Sequence, residues 1–327
     1  MSLKTDQQIV AFLEANGWLG ATSELIKPDA SARCYTRLHK NGKTIILMDT
    51  RHVVREQTVQ FYKVAKLLRA HGLSAPKIYA KNKAFSLLLV EDFGDALFAR
   101  LMAQRPELEE PLYRLAIDML LRLRSLLPSR KIPLASAKTF KQMLDPFFET
   151  YLLDGDDSQN KKLSILANIS TCLAEFDGSL TTVALRDCHS ENLLLLSDRE
   201  GIAKVGLLDF QDAFRCHPAY DLVSLLQDAR RDLSENLECR MITYYLSSSK
   251  DEKNRFMRAY RCLGLVRNLR ILGVFEKLIC DEGQSFYAPL IPRVKRHVEI
   301  TLQDPSLSLL RDDILAYFRA PKTLVER

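Results

Sequence analysis

At 327 residues, with Lys+Arg 47 against Asp+Glu 41, the chain is long enough for two lobes and carries a formal net charge of only +6. That charge is spread along the chain rather than gathered in a basic stripe, which argues for a small anionic ligand such as a nucleotide and against nucleic acid. No stretch approaches the roughly 18 apolar residues of a membrane span, and seven scattered cysteines without a Cys-x-x-Cys pair suit the reduced thiols of a cytoplasmic protein.

In chain order, Ile9, Val10, Phe12 and Leu13 give residues 5 to 16 an apolar face, and Gly17 supplies a stop, which predicts a short helix. Arg33 to His39 and Lys43 to Asp49 flank the turn signal Lys40-Asn41-Gly42 and predict a hairpin. Glu56 to Ala70 sets Phe61, Val64, Ala65 and Leu68 on one helical face. Lys77 to Lys81 and Phe85 to Val90, around Asn82-Lys83, predict a second hairpin. Two strands, a helix and two or three more strands make a small antiparallel-sheet lobe over 1–92, with Glu91-Asp92-Phe93-Gly94 as its hinge.

The pattern over 93–327 is helical. Pro111 suits the first turn of a helix running from Leu112 to Leu127. Further helices are predicted near 141–153, 159–177, 219–230, 234–247, 252–279, 288–302 and 306–318, the long one breaking at Gly264 or Gly273. The fold class is therefore α+β: two lobes, a nucleotide-binding sheet lobe and a larger catalytic and substrate-binding helical lobe.

The most telling segment lies in the helical part. Leu185-Arg186-Asp187-Cys188-His189-Ser190-Glu191-Asn192 leads into the apolar run Leu193 to Leu196, a turn at 197–201 and a second strand ending in Leu208-Asp209-Phe210. That hairpin sets Asn192 and Asp209 side by side at its open end. Phosphoryl transfer from ATP asks a protein to position the acceptor hydroxyl and to neutralise charge on the transferring oxygens. Asp187 is the candidate base for that hydroxyl. Asn192 and Asp209 are the candidate ligands of Mg2+, which favours hard oxygen donors and needs few carboxylates beside the phosphates. An Asp followed five residues later by Asn arises by chance about once in a chain this long, so the hairpin and the Asp-Phe that follows it carry the weight.

At these residues the chain resembles the aminoglycoside phosphotransferase and choline kinase superfamily, which has the protein-kinase-like fold. Within it, Arg186-Asp187-Cys188-His189-Ser190-Glu191-Asn192, Leu208-Asp209-Phe210-Gln211-Asp212-Ala213 and Tyr220-Asp221-Leu222-Val223-Ser224-Leu225-Leu226 most resemble the bacterial cell-wall amino-sugar kinases. These phosphorylate N-acetylmuramate and N-acetylglucosamine at the anomeric hydroxyl. The resemblance spans about residues 28 to 280 and implies ATP, Mg2+ and a small hydroxyl substrate, most simply a sugar. Other acceptors, such as choline or an aminoglycoside, and a nucleotide-binding regulatory pseudoenzyme remain open alternatives.

The resemblance also implies roles residue by residue. No Gly-rich loop precedes the first hairpin, and Leu47-Met48-Asp49 stands where protein kinases place the phosphate-binding Lys; the amino-sugar kinases share both departures. Arg33 and Arg37 are then the nearest cations for the nucleotide phosphates, with Glu56 a candidate partner for one of them or a solvent-facing first-turn acid. Glu91 to Phe93 offers backbone groups to an adenine edge. His189, Gln211 and Asp212 are candidate substrate contacts, and Asp221 a support for the catalytic loop. Leu185 replaces the usual His. Glu191 replaces an Arg and bears on selectivity for acidic sugars. Arg267-Asn268-Leu269-Arg270 matches a pattern in these relatives, with a solvated helical face as its plainer reading.

Overall fold

The computed structural model describes residues 6–26, 33–126, 132–151, 158–176 and 181–319. Along the chain run α1 (Gln7–Ala15), β1 (Thr22–Ile26), β2 (Cys34–Lys40), β3 (Lys43–Asp49), α2 (Arg55–Ala70), β4 (Ile78–Lys81), β5 (Leu87–Val90) and α3 (Phe98–Gln104). Then come α4 (Glu109–Arg124), α5 (Ala137–Met143), α6 (Asp145–Thr150), α7 (Ser158–Ala174), β6 (Thr182–Ala184), β7 (Leu193–Leu195), β8 (Val205–Leu207) and β9 (Phe214–Cys216). The last elements are α8 (Ala219–Leu226), α9 (Glu235–Ser249), α10 (Lys253–Glu282), α11 (Ile291–Thr301) and α12 (Ser308–Arg319).

These elements pack into two compact units, Met1–Glu109 with Ser190–Ala213, and Glu110–His189 with Phe214–Arg327. The first holds a five-stranded antiparallel sheet in the order β1-β2-β3-β5-β4. Asn41 and Gly42 both have positive φ, 51° and 71°, which is the twist a two-residue turn needs to close β2 on β3. Asp6 caps α1 by accepting from the Gln8 and Ile9 N–H groups. The helix then buries Ile9, Phe12 and Leu13 against Leu38, Ile45, Leu47, Leu87 and Leu89 of one sheet face. By strand alternation Ile46, Met48, Leu88 and Val90 point to the opposite face, and they are buried too.

The hairpin β7–β8 belongs to this first unit, although it lies far along the chain. Leu97 bridges Leu194, Ser74 bridges Gly206, and the Leu207 N–H donates to the Ser74 carbonyl at 2.8 Å. Phe210 stacks on Phe61 of α2, with centroids 5.0 Å apart and planes 13° from parallel. Residues 93–109 and 190–213 thus pack with the sheet, whereas the sequence reading divides the chain at 92/93.

The second unit is helical around α10. Glu252 caps it through the Asn254 and Arg255 N–H groups, and it runs unbroken for 30 residues, so the break expected at Gly264 or Gly273 does not occur. Both glycines serve packing instead. A Cβ on Gly273 would stand 2.2 Å from the Phe147 nitrogen, and one on Gly264 3.3 Å from Val223 and Gln227. The single helix expected over 141–153 is two, α5 and α6, because Pro146 opens a new first turn and cannot donate to a continuing one; residues 152 and 153 lie outside the described residues. A short pair, β6 with β9, completes the unit. The fold is thus the expected kinase-like one, a five-stranded antiparallel sheet followed by a mainly helical part.

Candidate active site

The candidate residues divide between the two units. In the first, β7 and β8 pair with Leu193 opposite Leu207, and the Leu208 N–H donates to the Asn192 carbonyl at 3.0 Å. Asn192 and Asp209 therefore flank the same end of one hairpin. Asp209 has φ +51°, a left-handed conformation that costs a non-glycine residue about 1–3 kcal/mol. Its surroundings hold it there: the following ring is stacked on Phe61, and the Ala213 N–H closes a turn onto the Phe210 carbonyl.

The Asp209 carboxylate is 45% exposed and accepts from Arg33 Nη1 at 3.3 Å and from Gln211 Nε2 at 2.9 Å. Gln211 also donates to Asp212 at 3.2 Å, so its amide ties the two acids of this turn together. Arg33 is buried and also reaches Gln57 at 3.5 Å. Burial pushes the Tyr35 phenol up, beside Arg33 and Asp209. Residues 29–32, the rest of the loop singled out in the sequence, lie outside the described residues. Asn192 and Asp209 suit a magnesium ion, since both bring hard oxygen donors to one hairpin end, one carboxylate is partly exposed, and such an ion takes its remaining ligands from phosphates and water.

Arg37 stands elsewhere in the same unit. Its guanidinium grips Asp92 at 2.8 and 3.1 Å and Asp95 at 3.0 and 3.1 Å, with Glu24 at 3.8 Å. The Asp95 and Asp92 hydrogen bonds hold it well above the usual guanidinium range. The charge expected to meet a nucleotide phosphate is thus neutralised by carboxylates of the segment after β5. Glu56 is exposed.

The Glu91 carboxylate binds Arg199 and the Lys77 N–H, and the Glu91 N–H donates to the Lys77 carbonyl. Phe93 lies beneath the Arg199 guanidinium, 5.1 Å from it, and would meet a Cβ on Gly206 at 3.0 Å. Among the described residues neither the Glu91 carbonyl nor the Phe93 N–H is spent in a hydrogen bond. An acceptor and a donor two residues apart are what the edge of an adenine ring needs.

In the second unit, the loop Leu185–His189 carries Asp187. Arg186 has φ +78°, and α8 holds this strained residue on both sides. The Asp221 carboxylate accepts from the Leu185 N–H at 2.6 Å and the Arg186 N–H at 3.0 Å, and the Ser224 hydroxyl donates to the Arg186 carbonyl at 3.1 Å. Burial pushes the Asp221 carboxyl up to about 7, against the opposing pull of the two N–H groups. The side chain of Leu185, in the position of the usual His, is buried. The His189 N–H donates to the Asp187 carbonyl at 3.1 Å, its ring is buried, and burial lowers its pKa.

Arg267 to Arg270 do not form the solvated face of the plainer sequence reading. Arg267 is 4% and Asn268 0% exposed, because α10 is packed by α6, α8 and α11 along its length. Asn268 donates to Gln227 at 2.8 Å. Sequence reasoning missed Ser224 and Gln57 as partners of the loops. Ser224 carries a usable signal, since it lies one helical turn after Asp221; Gln57 carries none.

With this geometry in view, the relationships are clear. The chain matches the phosphotransferase enzyme family over residues 22–260 and belongs to it. It is a kinase, a phosphotransferase with an alcohol group as acceptor. An N-acetylmuramate/N-acetylglucosamine kinase of Caulobacter vibrioides is 32% identical over 95% of this chain and 96% of its own length. A choline/ethanolamine kinase family protein from Mesorhizobium loti has the same fold, with a TM-score of 0.63 at 12% identity over 95% of this chain and 96% of that one. An ADP-bound aminoglycoside phosphotransferase superposes with a TM-score of 0.60 at 14% identity, covering 92% of this chain and 98% of its own.

Proposed function

We propose that the protein is an ATP- and magnesium-dependent kinase that phosphorylates the anomeric hydroxyl of an N-acetylated amino sugar, N-acetylmuramate or N-acetylglucosamine. The observation that carries this reading is the identity of nearly a third, over almost the whole length of both chains, to a kinase of those two sugars. It is supported by the strained loop that presents Asp187 and by the hairpin end that carries Asn192 and Asp209.

In this reading Asp187 accepts or orients the proton of the attacking hydroxyl, and α8 sets its direction through Asp221 and Ser224. Asn192 and Asp209 hold magnesium, which supplies charge neutralisation on the phosphates when bound. Arg33 and Gln211 keep the Asp209 carboxylate aimed, and Arg33 is the cation nearest to hand for a phosphate oxygen. Glu91 to Phe93 offers the adenine edge one acceptor and one donor. Buried His189 fixes the loop's course after Asp187 or meets the sugar, and Asp212 is a further candidate for a sugar hydroxyl. The scattered thiols fit a cytoplasmic protein.

ADP release with magnesium-ATP, measured across N-acetylmuramate, N-acetylglucosamine, choline, homoserine and kanamycin, tests the assignment. Turnover confined to the two acetylated sugars is expected. Turnover of choline or kanamycin in their place would move the protein to another acceptor class.

A further inference from the structure

We infer that Arg186, Arg267 and Arg270 form an anion subsite on the acceptor side, so that the preferred sugar is one bearing a carboxylate. The inference rests on the amino-sugar kinase reading and narrows it.

All three residues belong to the unit that carries Asp187. Asp221 and Ser224 tie Leu185 and Arg186 to the first turns of α8. Val223 of α8 and Gln227 just beyond its end meet α10 where Gly264 has no side chain. Arg267 and Arg270 follow on α10, three residues apart and therefore neighbours on one face. Arg267 is 4% exposed, and its hydrogen bond is a long one, 3.4 Å to the Gln227 carbonyl. Arg186 and Arg270 are half-buried.

Among the described residues, none of these three guanidinium groups forms an ion pair with a carboxylate. Other partly buried arginines do: Arg37 takes Asp92 and Asp95, Arg51 takes Asp49 and Asp6, and Arg124 takes Asp251. The three cations also feel one another. Burial first, then the charge of Arg186 and to a lesser degree that of Arg267, pushes Arg270 below the usual guanidinium range, and Tyr220 and the Asp187 carboxylate oppose the shift only in part.

Burying like charges without a directly paired counter-ion is unfavourable. A ligand carboxylate removes that cost, and the planar guanidinium fork can take it through two parallel hydrogen bonds. With a neutral sugar only Asp187, the reacting base, and the buried Asp221 offset the three cations, and a cationic acceptor adds to the repulsion. A nucleotide phosphate is the other anion in the reaction. The residues assigned to the nucleotide, Arg33, Glu91 to Phe93, Asn192 and Asp209, belong to the other unit, whereas these arginines share a unit with the base for the acceptor hydroxyl.

The test compares kcat/KM of the wild-type enzyme for N-acetylmuramate, its neutral methyl ester and N-acetylglucosamine, and repeats the set with Arg270→Gln, Arg270→Lys and Arg186→Gln. The free acid should exceed the ester by about tenfold or more, the scale of a charged hydrogen bond. Arg270→Gln should lower the ratio of N-acetylmuramate to N-acetylglucosamine by a similar factor, and Arg270→Lys should restore part of it. Thermal unfolding shows which variants fold, and the wild-type acid-to-ester comparison stands without any of them. Equal use of acid and ester, or a loss confined to KM for ATP, overturns the subsite while leaving the sugar-kinase reading intact. No turnover of any amino sugar by the wild type overturns that reading, and the subsite with it.

Discussion

Asp221 is a buried acid whose partners are backbone groups rather than a cation. It satisfies two N–H groups at the point where Arg186 takes a left-handed conformation. Removing it in Asp221→Ala strands both donors, at a cost of about 1–3 kcal/mol each, so denaturant unfolding should show a loss of several kcal/mol. The pH dependence has a definite sign. The carboxyl sits near 7 in the fold against an ordinary 3.8, so between those values the folded chain holds more protons than the unfolded one, and stability falls as pH rises. Asp221→Asn has no such term, and its deficit relative to wild type should shrink from pH 5 to pH 8. A deficit that grows over that range would refute the assignment. Arg33 offers a second residue-scale test. Arg33→Gln should raise KM for ATP about tenfold, in line with the loss of a charged hydrogen bond; a lower melting temperature with an unchanged KM would make it purely structural.

Among the elements, α10 shows what patterning reveals and what it hides. Its extent, and those of α2, α9 and α11, could be read from apolar periodicity, as could both sheet hairpins from Asn41-Gly42 and Asn82-Lys83. The fate of its glycines could not, since a close helix crossing and a helix break leave the same mark in one sequence. Gly273→Ala should destabilise by at least the ~1–3 kcal/mol typical of overpacking, because the clash is with the Phe147 backbone. Gly264→Ala meets only side chains that can yield, and should lose less; thermal melts of the two variants rank them. The strands β1, β6 and β9 and helix α3 escaped the sequence reading for a related reason. Exposed β1 is held by backbone pairing with β2, and the other three are too short for periodicity to register. In the same way, spacing singled out Asp187, Asn192 and Asp209, but it could not tell Arg37, neutralised by two acids, from Arg33.

At the scale of the whole molecule, the chain passes from the first compact unit to the second after Glu109, returns at Ser190 and leaves again after Ala213. The segment from Asp187 to Asn192 therefore joins the two units covalently, with the candidate base in one and the candidate metal ligands in the other. The central claim is that this segment performs phosphoryl transfer. Its most direct test is the rate of ADP release with magnesium-ATP and N-acetylmuramate for the wild type and for Asp187→Asn, with ATP binding and the melting temperature followed in both. Turnover by the wild type, with a loss of about 10²- to 10⁴-fold in the variant and little change in ATP binding or melting temperature, is the predicted result. A loss of less than about tenfold in a folded, ATP-binding variant would contradict the claim.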